Sequence, residues 1–269
     1  MKFTILGADG WIGAACVRHL SALGHEVVAF TRTTNIAADT PLGHVIYAIG
    51  LTGDFREKPF ETVDAHVSTL ARWLQHGSFA SFLYLSSTRV FGSTPTPHPV
   101  NEKTSITLSP SADSLYDLSK LMGEALCLSQ ALPTIRVVRL SNVYGLQQSS
   151  HNFLGSVLDS LRTHGEVVIR ESAESSKDYV ALVDVVSLLE KIAISGKERL
   201  YHVASGGPTT HAALAEQLKK MGRYAVTFYE GSSCRAFPVI DIGRIRAEFG
   251  FEPRSLLDDL PQLLHIETT

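Results

Sequence analysis

Residues 3–13 read Phe-Thr-Ile-Leu-Gly-Ala-Asp-Gly-Trp-Ile-Gly, and this stretch decides the fold. A short apolar strand runs into Gly7, Gly10 and Gly13, spaced G-x-x-G-x-x-G where a first strand turns into a helix. Glycine meets three demands at such a turn: a tight bend, close approach of the backbone to a pyrophosphate, and close packing of helix on strand. The pyrophosphate then lies on the free N–H groups at the positive end of the helix. The segment implies a bound nucleotide cofactor, contacted by Gly7, Asp9, Gly10, Trp11, Ile12 and Gly13. A plain strand–helix turn is the competing reading, and the motifs downstream weigh against it.

The alternation continues outward from there. Predicted strands cover 2–6, 26–31, 44–49, 81–86 and 134–140, with helices over 11–23, 61–76 and 114–130 between them. Gly24 is a natural stop for the first helix. Most of the strands are continuous apolar runs, so both faces of the sheet are covered. That pattern is α/β, a doubly wound parallel sheet of the Rossmann type. The last third is mixed, with helices over 152–163 and 210–220, another from Leu182, and a strand near Val167. We expect a dinucleotide-binding domain over 1–145, rejoined by 176–204. A small C-terminal substrate lobe is expected from 146–175 and 205–269.

Composition excludes other classes. The net charge is −3 with no basic block, so nucleic acid and anionic membranes are not expected partners. No stretch approaches the ~20 apolar residues of a membrane span. The first strand begins at Lys2, so we expect no signal peptide and a cytoplasmic location. Cys16, Cys127 and Cys234 lie far apart without C-x-x-C spacing and read as reduced thiols. The 11 histidines show no H-E-x-x-H or comparable ligand spacing, so no metal is expected.

The second signal is Tyr116-Asp117-Leu118-Ser119-Lys120. Residues four apart on a helix share a face, one turn from each other. A phenol has a pKa near ~10 and is a poor acid or base at neutral pH. A lysine ammonium beside it stabilises the phenolate and lowers that value. A hydroxyl from another segment is needed to hold a substrate oxygen, and Leu83-Tyr84-Leu85-Ser86-Ser87-Thr88-Arg89 ends a strand with several. Ser87 is the chosen donor, with Ser86 and Thr88 as neighbouring alternatives.

Five segments resemble the extended short-chain dehydrogenase/reductase family of nucleotide-sugar epimerases, dehydratases and ketoreductases. They are GADGWIG (7–13), LYLSSTRVFG (83–92), SLYDLSK (114–120), VVRLSNVYG (137–145) and SKDYVALVDVV (176–186), in family order along nearly the whole chain. The resemblance implies a catalytic Ser87-Tyr116-Lys120 set, Ser87 lying five residues before Gly92. It implies a nicotinamide dinucleotide contacted also by Ala48, Ile49, Gly50, Leu140, Asn142 and Val143. It places Asn142 near the nicotinamide ribose and the substrate, with Asn152 and Phe153 beside a nucleotide sugar. Lys177 stands where the family usually has an arginine facing the substrate diphosphate; lysine keeps the charge and loses the fork. Arg235 is a further candidate for a phosphate clamp. Lys177 and Arg32 read equally well as solvated surface charges. The family often forms a homodimer by packing two helices per subunit, here those near 61–76 and 114–130.

The chain departs from the family pattern in two places. The acidic residue that grips the adenosine ribose in NAD enzymes should end the second strand, where Thr31 and Arg32 stand instead. Without the carboxylate a 2′-phosphate is not repelled, and Arg32 can pair with it, so NADP(H) is favoured over NAD. Second, only about a dozen residues separate the second strand from the third, so one edge strand of the sheet is missing. Thr88-Arg89 also stands where related dehydratases carry Asp-Glu and fucose-type epimerase-reductases carry a cysteine nearby. Thr88 and Arg89 are then substrate contacts, with Arg89 set to meet an acidic group. The set Ser87-Tyr116-Lys120 suffices for hydride transfer at one carbon.

The functional expectation is an NAD(P)-dependent epimerase or oxidoreductase acting on a nucleotide sugar. The alternative is an NADPH-dependent ketoreductase of a nucleotide sugar or another small carbonyl compound. A silent NADP-binding scaffold is a distant third, because such relatives typically lose the Tyr or the Lys. His66, Asp178 and Asp184 read as packed or capping residues, and Trp11 and Trp73 as core or interface.

Overall fold

The structure, a computed structural model, describes residues 1–31, 40–92, 96, 98–150 and 152–265. Six strands form one parallel sheet: β1 (Lys2–Leu6), β2 (Glu26–Phe30), β3 (His44–Tyr47), β4 (Ser81–Ser87), β5 (Ile135–Leu140) and β10 (Leu200–Val203). Their order is β2-β1-β3-β4-β5-β10, every neighbouring pair parallel. Every residue of β5 is buried, which is what a strand covered on both faces requires. Among the described residues no strand pairs with the outer edge of β2, so the edge strand expected to be missing is absent from the sheet. The chain leaves β1 with β2 on one side and β3 on the other. That reversal opens the crevice at the carboxyl ends where such sheets bind ligands.

Helix α1 (Trp11–Ala22) packs on α6 (Leu182–Ser195) over one face. Leu182, Val185, Val186, Leu188, Leu189 and Ile192 of α6 join Phe3, Ile5, Leu83 and Val138 in one apolar core. Each such side chain contributes about 1.5–3 kcal/mol when fully buried. The opposite face is covered by α4 (Leu115–Ser129) and by a run made of α2 (Pro59–Val63), a π-helical segment Asp64–Ser68 and α3 (Thr69–His76). The single helix expected over 61–76 therefore carries an extra backbone residue in its middle. The wider turn buries Ala65 and His66 and lets the Tyr47 hydroxyl donate to the Ala65 carbonyl at 2.6 Å.

The remaining chain forms short strand pairs, β6 (Asn142–Tyr144) with β9 (Tyr179–Ala181), β8 (Ser176–Lys177) with β11 (Thr209–Thr210), and β7 (Glu166–Ile169) with β12 (Ala225–Phe228), together with further helices. Helices α5 (Phe153–His164), α7 (His211–Lys220) and α9 (Leu256–Leu264) close a second core around Tyr144, Leu158, Leu218 and Leu260. Residues 240–251, grouped with the lobe in the sequence reading, pack differently. Ile240, Ile242, Phe251 and Ile245 of α8 (Gly243–Phe249) lie in the core of the main sheet. The apolar run alone does not say which of two cores it joins. No helix among the described residues is long and apolar enough to cross a membrane.

Candidate active site

The glycine turn has the geometry of a phosphate cradle. Gly7 has φ +87°, and a Cβ there would lie 2.9 Å from the Ile49 amide nitrogen. A Cβ on Gly13 would stand 2.1 Å from the Gly7 carbonyl oxygen, so this glycine sets the helix against the turn. Gly10 differs: among the described residues its Cβ would meet only the Gly7 oxygen, at 3.3 Å. Gly10 is the N-cap of α1, no side chain caps the helix, and its first turn contains no acidic residue. The N–H groups there are left for an anion, and the residues present fit a dinucleotide pyrophosphate.

Around this turn Asp9 is exposed, while Trp11 and Ile12 pack on the main core and the Trp11 indole N–H donates to the Leu146 carbonyl at 3.1 Å. Ala48 and Ile49 run directly past Gly7. Gly50 makes room for two side chains, since a Cβ there would lie 3.0 Å from His66 Nε2 and 3.4 Å from Lys120 Nζ. Leu140 is a buried core residue at the end of β5, and Val143 packs against the same core. Asn142 donates from Nδ2 to the Asp178 carbonyl at 2.8 Å. Thr31 follows β2 directly, and Arg32 lies outside the described residues.

Ser87, Tyr116 and Lys120 come together at the carboxyl end of β4. Tyr116 is 4% exposed, and the Ser87 and Thr52 hydroxyls lie near enough to its phenol to favour the ionised form. Lys120 donates to the Leu85 carbonyl at 2.9 Å, and its Nζ lies 5.8 Å from the Tyr116 ring centroid. Burial raises the phenol above its ordinary pKa, opposed by Ser87, by the Arg89 charge and by Thr52. Burial also lowers Lys120 to about 7, with Glu124 opposing. The spacing Tyr-x-x-x-Lys suggested that Lys120 draws the phenol down. In the folded chain desolvation outweighs the neighbouring positive charge, and Arg89, 5.1 Å from the ring centroid, lies nearer the ring than Lys120 does.

His66 is fully buried beneath this group. Its Nε2 accepts from the Leu51 amide at 3.3 Å, so Nδ1 carries the proton and donates to Ser119 Oγ at 2.8 Å; Ser119 in turn donates to the Tyr116 carbonyl at 2.8 Å. Burial and the Lys120 charge take it down to about 2, so it is neutral. It is a packed, hydrogen-bonded histidine that orients the α4 turn. A Cβ on Gly123 would lie 2.3 Å from the Tyr84 hydroxyl oxygen, so only glycine lets α4 lie this close to β4.

The predicted substrate contacts divide into two groups. Thr88 and Arg89 begin the short 3-10 turn after β4, beside Tyr116. In the lobe, Asn152 caps α5 by accepting from the Gly155 amide at 2.8 Å. Phe153 stacks on His211 at 4.1 Å, and Lys177 Nζ sits 4.2 Å from the Phe153 ring centroid. Lys177 is not a free surface charge: it is largely buried and donates to Glu171 Oε1 at 3.2 Å. Arg235 is exposed, close enough for its charge to disfavour the Lys177 ammonium. Asp178 accepts from the Ser205 and Gly206 amides, each at 2.8 Å, and Asp184 from the Arg254 amide at 3.0 Å. Both hold backbone, as their sequence reading had it.

Several participants escaped sequence reasoning. Thr52 and Phe55 come from the loop after β3, with Phe55 5.7 Å from the Tyr116 ring. Asp117 pairs with Arg89 at 3.3 Å. Their only sequence signal is position, beside residues already singled out.

With this geometry in hand, the relatives are informative. The profile of the NAD dependent epimerase/dehydratase family matches residues 35–204. The chain is similar to dTDP-4-dehydro-6-deoxyglucose reductase of Escherichia coli, 27% identical over 209 residues, which are 74% of this chain and 64% of that protein. Among solved structures it is similar to RMD from Pseudomonas aeruginosa complexed with NADPH, TM-score 0.81 at 19% identity over 98% of both chains. It is also similar to UDP-glucose 4-epimerase from Thermotoga maritima with UDP-glucose, TM-score 0.77 at 19% identity over 98% of this chain and 97% of that one. Likeness at these identities establishes a shared fold.

Proposed function

This chain belongs to the NAD dependent epimerase/dehydratase family, a family of nucleotide-sugar enzymes, and from that premise we propose that it is a reductase acting on a ketone of a nucleotide-linked sugar. The observation that carries the reading is the meeting of the Tyr116 phenol with the Ser87 hydroxyl at the carboxyl end of β4, above the glycine turn. The similarity to a dehydro-deoxyglucose reductase and to a structure complexed with NADPH favours reduction over epimerisation. So does the departure at Thr31-Arg32, where the carboxylate expected in an NAD enzyme is replaced.

A nicotinamide cofactor supplies the hydride when bound. The chain's own residues handle the oxygen. Ser87 donates a hydrogen bond to the substrate carbonyl oxygen, and Tyr116 delivers a proton to it as the alcohol forms. Burial keeps the phenol protonated, the state from which reduction starts, and neighbouring positive charge opposes that burial effect so that the proton can be given up. Lys120, beside Gly50 and below the phenol, is set to contact the nicotinamide ribose and to return positive charge to the site. Asn142 and the Lys177–Glu171 pair face the rest of the substrate.

The test is NADPH oxidation, followed by absorbance, with dTDP- and GDP-linked 4-keto-6-deoxy sugars. Steady NADPH consumption with at least one of them is expected. Tyr116→Phe should lower kcat by about 10²–10⁴-fold, the size of a lost general acid, with NADPH binding retained. Interconversion of UDP-sugars without net cofactor use would replace this reading with an epimerase.

A further inference from the structure

Tyr116 is surrounded by charge of unequal effect. From its own helix come Asp117 and Lys120. Arg89 comes from the turn after β4, His66 from the π segment, Arg56 from the loop after β3, and Tyr84 from β4. His66 is neutral, as its hydrogen bonds require, and meets the ring edge-on at 5.4 Å. Arg56 lies over Phe55 at 4.5 Å and pairs with exposed Asp113, where solvent screens it. Lys120 is directed to the Leu85 carbonyl. Arg89 is placed otherwise: its Cζ stands 5.1 Å from the Tyr116 centroid and 4.9 Å from the Phe55 centroid. Its Nε lies 3.3 Å from Asp117 Oδ1, and Nη2 donates to the Asp113 carbonyl at 3.4 Å. Asp117 is 7% exposed, and its Oδ1 has no hydrogen bond, so its main partner is the guanidinium.

We propose that Arg89 is a positioning residue that poises Tyr116 for proton transfer, held against the phenol by Asp117 and Phe55. A cation over the face of an aromatic ring is attracted to it, and more strongly once the phenol oxygen becomes negative. Arg89 therefore limits how far burial stabilises the protonated phenol. Asp117 works in both directions: it fixes the guanidinium and offsets part of its charge. Asp117 itself is raised to about 6 by burial, with Arg89 and then Arg56 opposing. The inference rests on reading Tyr116 as the proton donor.

Its test needs no substrate. The whole protein is labelled with [¹³Cζ]tyrosine, and the Tyr116 signal is assigned by its loss in Tyr116→Phe. The ionisation midpoint is then read by NMR across alkaline pH. Arg89→Gln should move the midpoint up by about one unit or more, or past the unfolding limit. Arg89→Lys should recover part of the difference. Circular dichroism checks that each variant is folded. A Tyr116 midpoint that is unchanged or lowered in folded Arg89→Gln overturns the proposal. The absence of NADPH consumption with every keto sugar would overturn the reductase reading and leave this titration as it stands.

Discussion

Glu124 and Arg139 join through two hydrogen bonds, 2.9 and 2.6 Å, with side chains 3% and 6% exposed. Ser86 Oγ donates to the same carboxylate at 2.5 Å, which ties the pair to the strand end next to Ser87. Removing one member of a buried pair strands the other charge and costs about 3–5 kcal/mol. Glu124→Gln is therefore expected to reduce unfolding free energy in urea by about that much. The double variant Glu124→Leu/Arg139→Met should lose less than the single one, because no charge is left unpaired. A single-variant loss below about 1 kcal/mol would show that water reaches the pair. The sequence held a hint of it: Arg136 and Arg139 interrupt a strand that otherwise reads as fully buried. That Tyr116 and Lys120 lie one turn apart on one helix was legible from local spacing, and Ser87 was reached through the family resemblance. The Glu124 and Asp117 partnerships were not, because an acidic residue on a helix looks the same whether it faces solvent or an arginine from another element.

At the scale of elements, the first turn separates binding from folding. Gly10 has φ −76° and ψ 158°, a conformation alanine adopts freely, and among the described residues its Cβ has only the Gly7 oxygen near it, at 3.3 Å. Gly10→Ala should leave the melting temperature within about 2 °C, while the methyl occupies the space a pyrophosphate needs. NADPH affinity, measured by fluorescence titration, is expected to fall at least about tenfold, or 1.4 kcal/mol. Gly13→Ala should lose affinity and several degrees of melting temperature together, since a Cβ 2.1 Å from the Gly7 oxygen forces the turn open. Wild-type NADPH binding by Gly10→Ala would remove this turn from the cofactor site. The same turn shows why the main elements were legible: apolar runs, glycine stops and helix caps are written locally. The π segment at Asp64–Ser68 was not, because one added backbone residue leaves too slight a mark on helical periodicity. The pair β8 and β11, two residues each, is too short for alternation to register.

For the molecule as a whole, buried titratable groups set the pH at which the fold is most stable. Burial lowers His66, His202 and His211 to about 2, 3 and 4, while in the unfolded chain each titrates near ~6.5. As pH falls below ~6.5 the unfolded chain takes up protons that the folded chain refuses, so stability drops by about 1.4 kcal/mol per pH unit for each histidine. Asp117, raised to about 6, acts oppositely between pH 6 and ~4, because there the folded state binds the extra proton. Asp178 and Asp184 are raised in the same sense. Near pH 6 the three histidines act with little opposition. On the alkaline side Lys120, lowered to about 7, favours the folded state increasingly up to its unfolded value near ~10.4, since only the unfolded chain keeps that proton. Above pH ~8.5 the trend reverses, because buried Cys16 and Cys127, both raised to about 12, hold protons that the unfolded chain releases, and buried Tyr47 and Tyr201 join them above pH ~10. Thermal melts from pH 4.5 to 10.5 should therefore show melting temperature rising from acid through neutrality to a maximum at about pH 8–9. His202→Gln, in removing one of the three histidines, should flatten the acid limb by about a third. A maximum at pH 5–6 would mean that the buried histidines and Lys120 meet water in the folded chain, and would undo the electrostatic account of the site along with that of the fold.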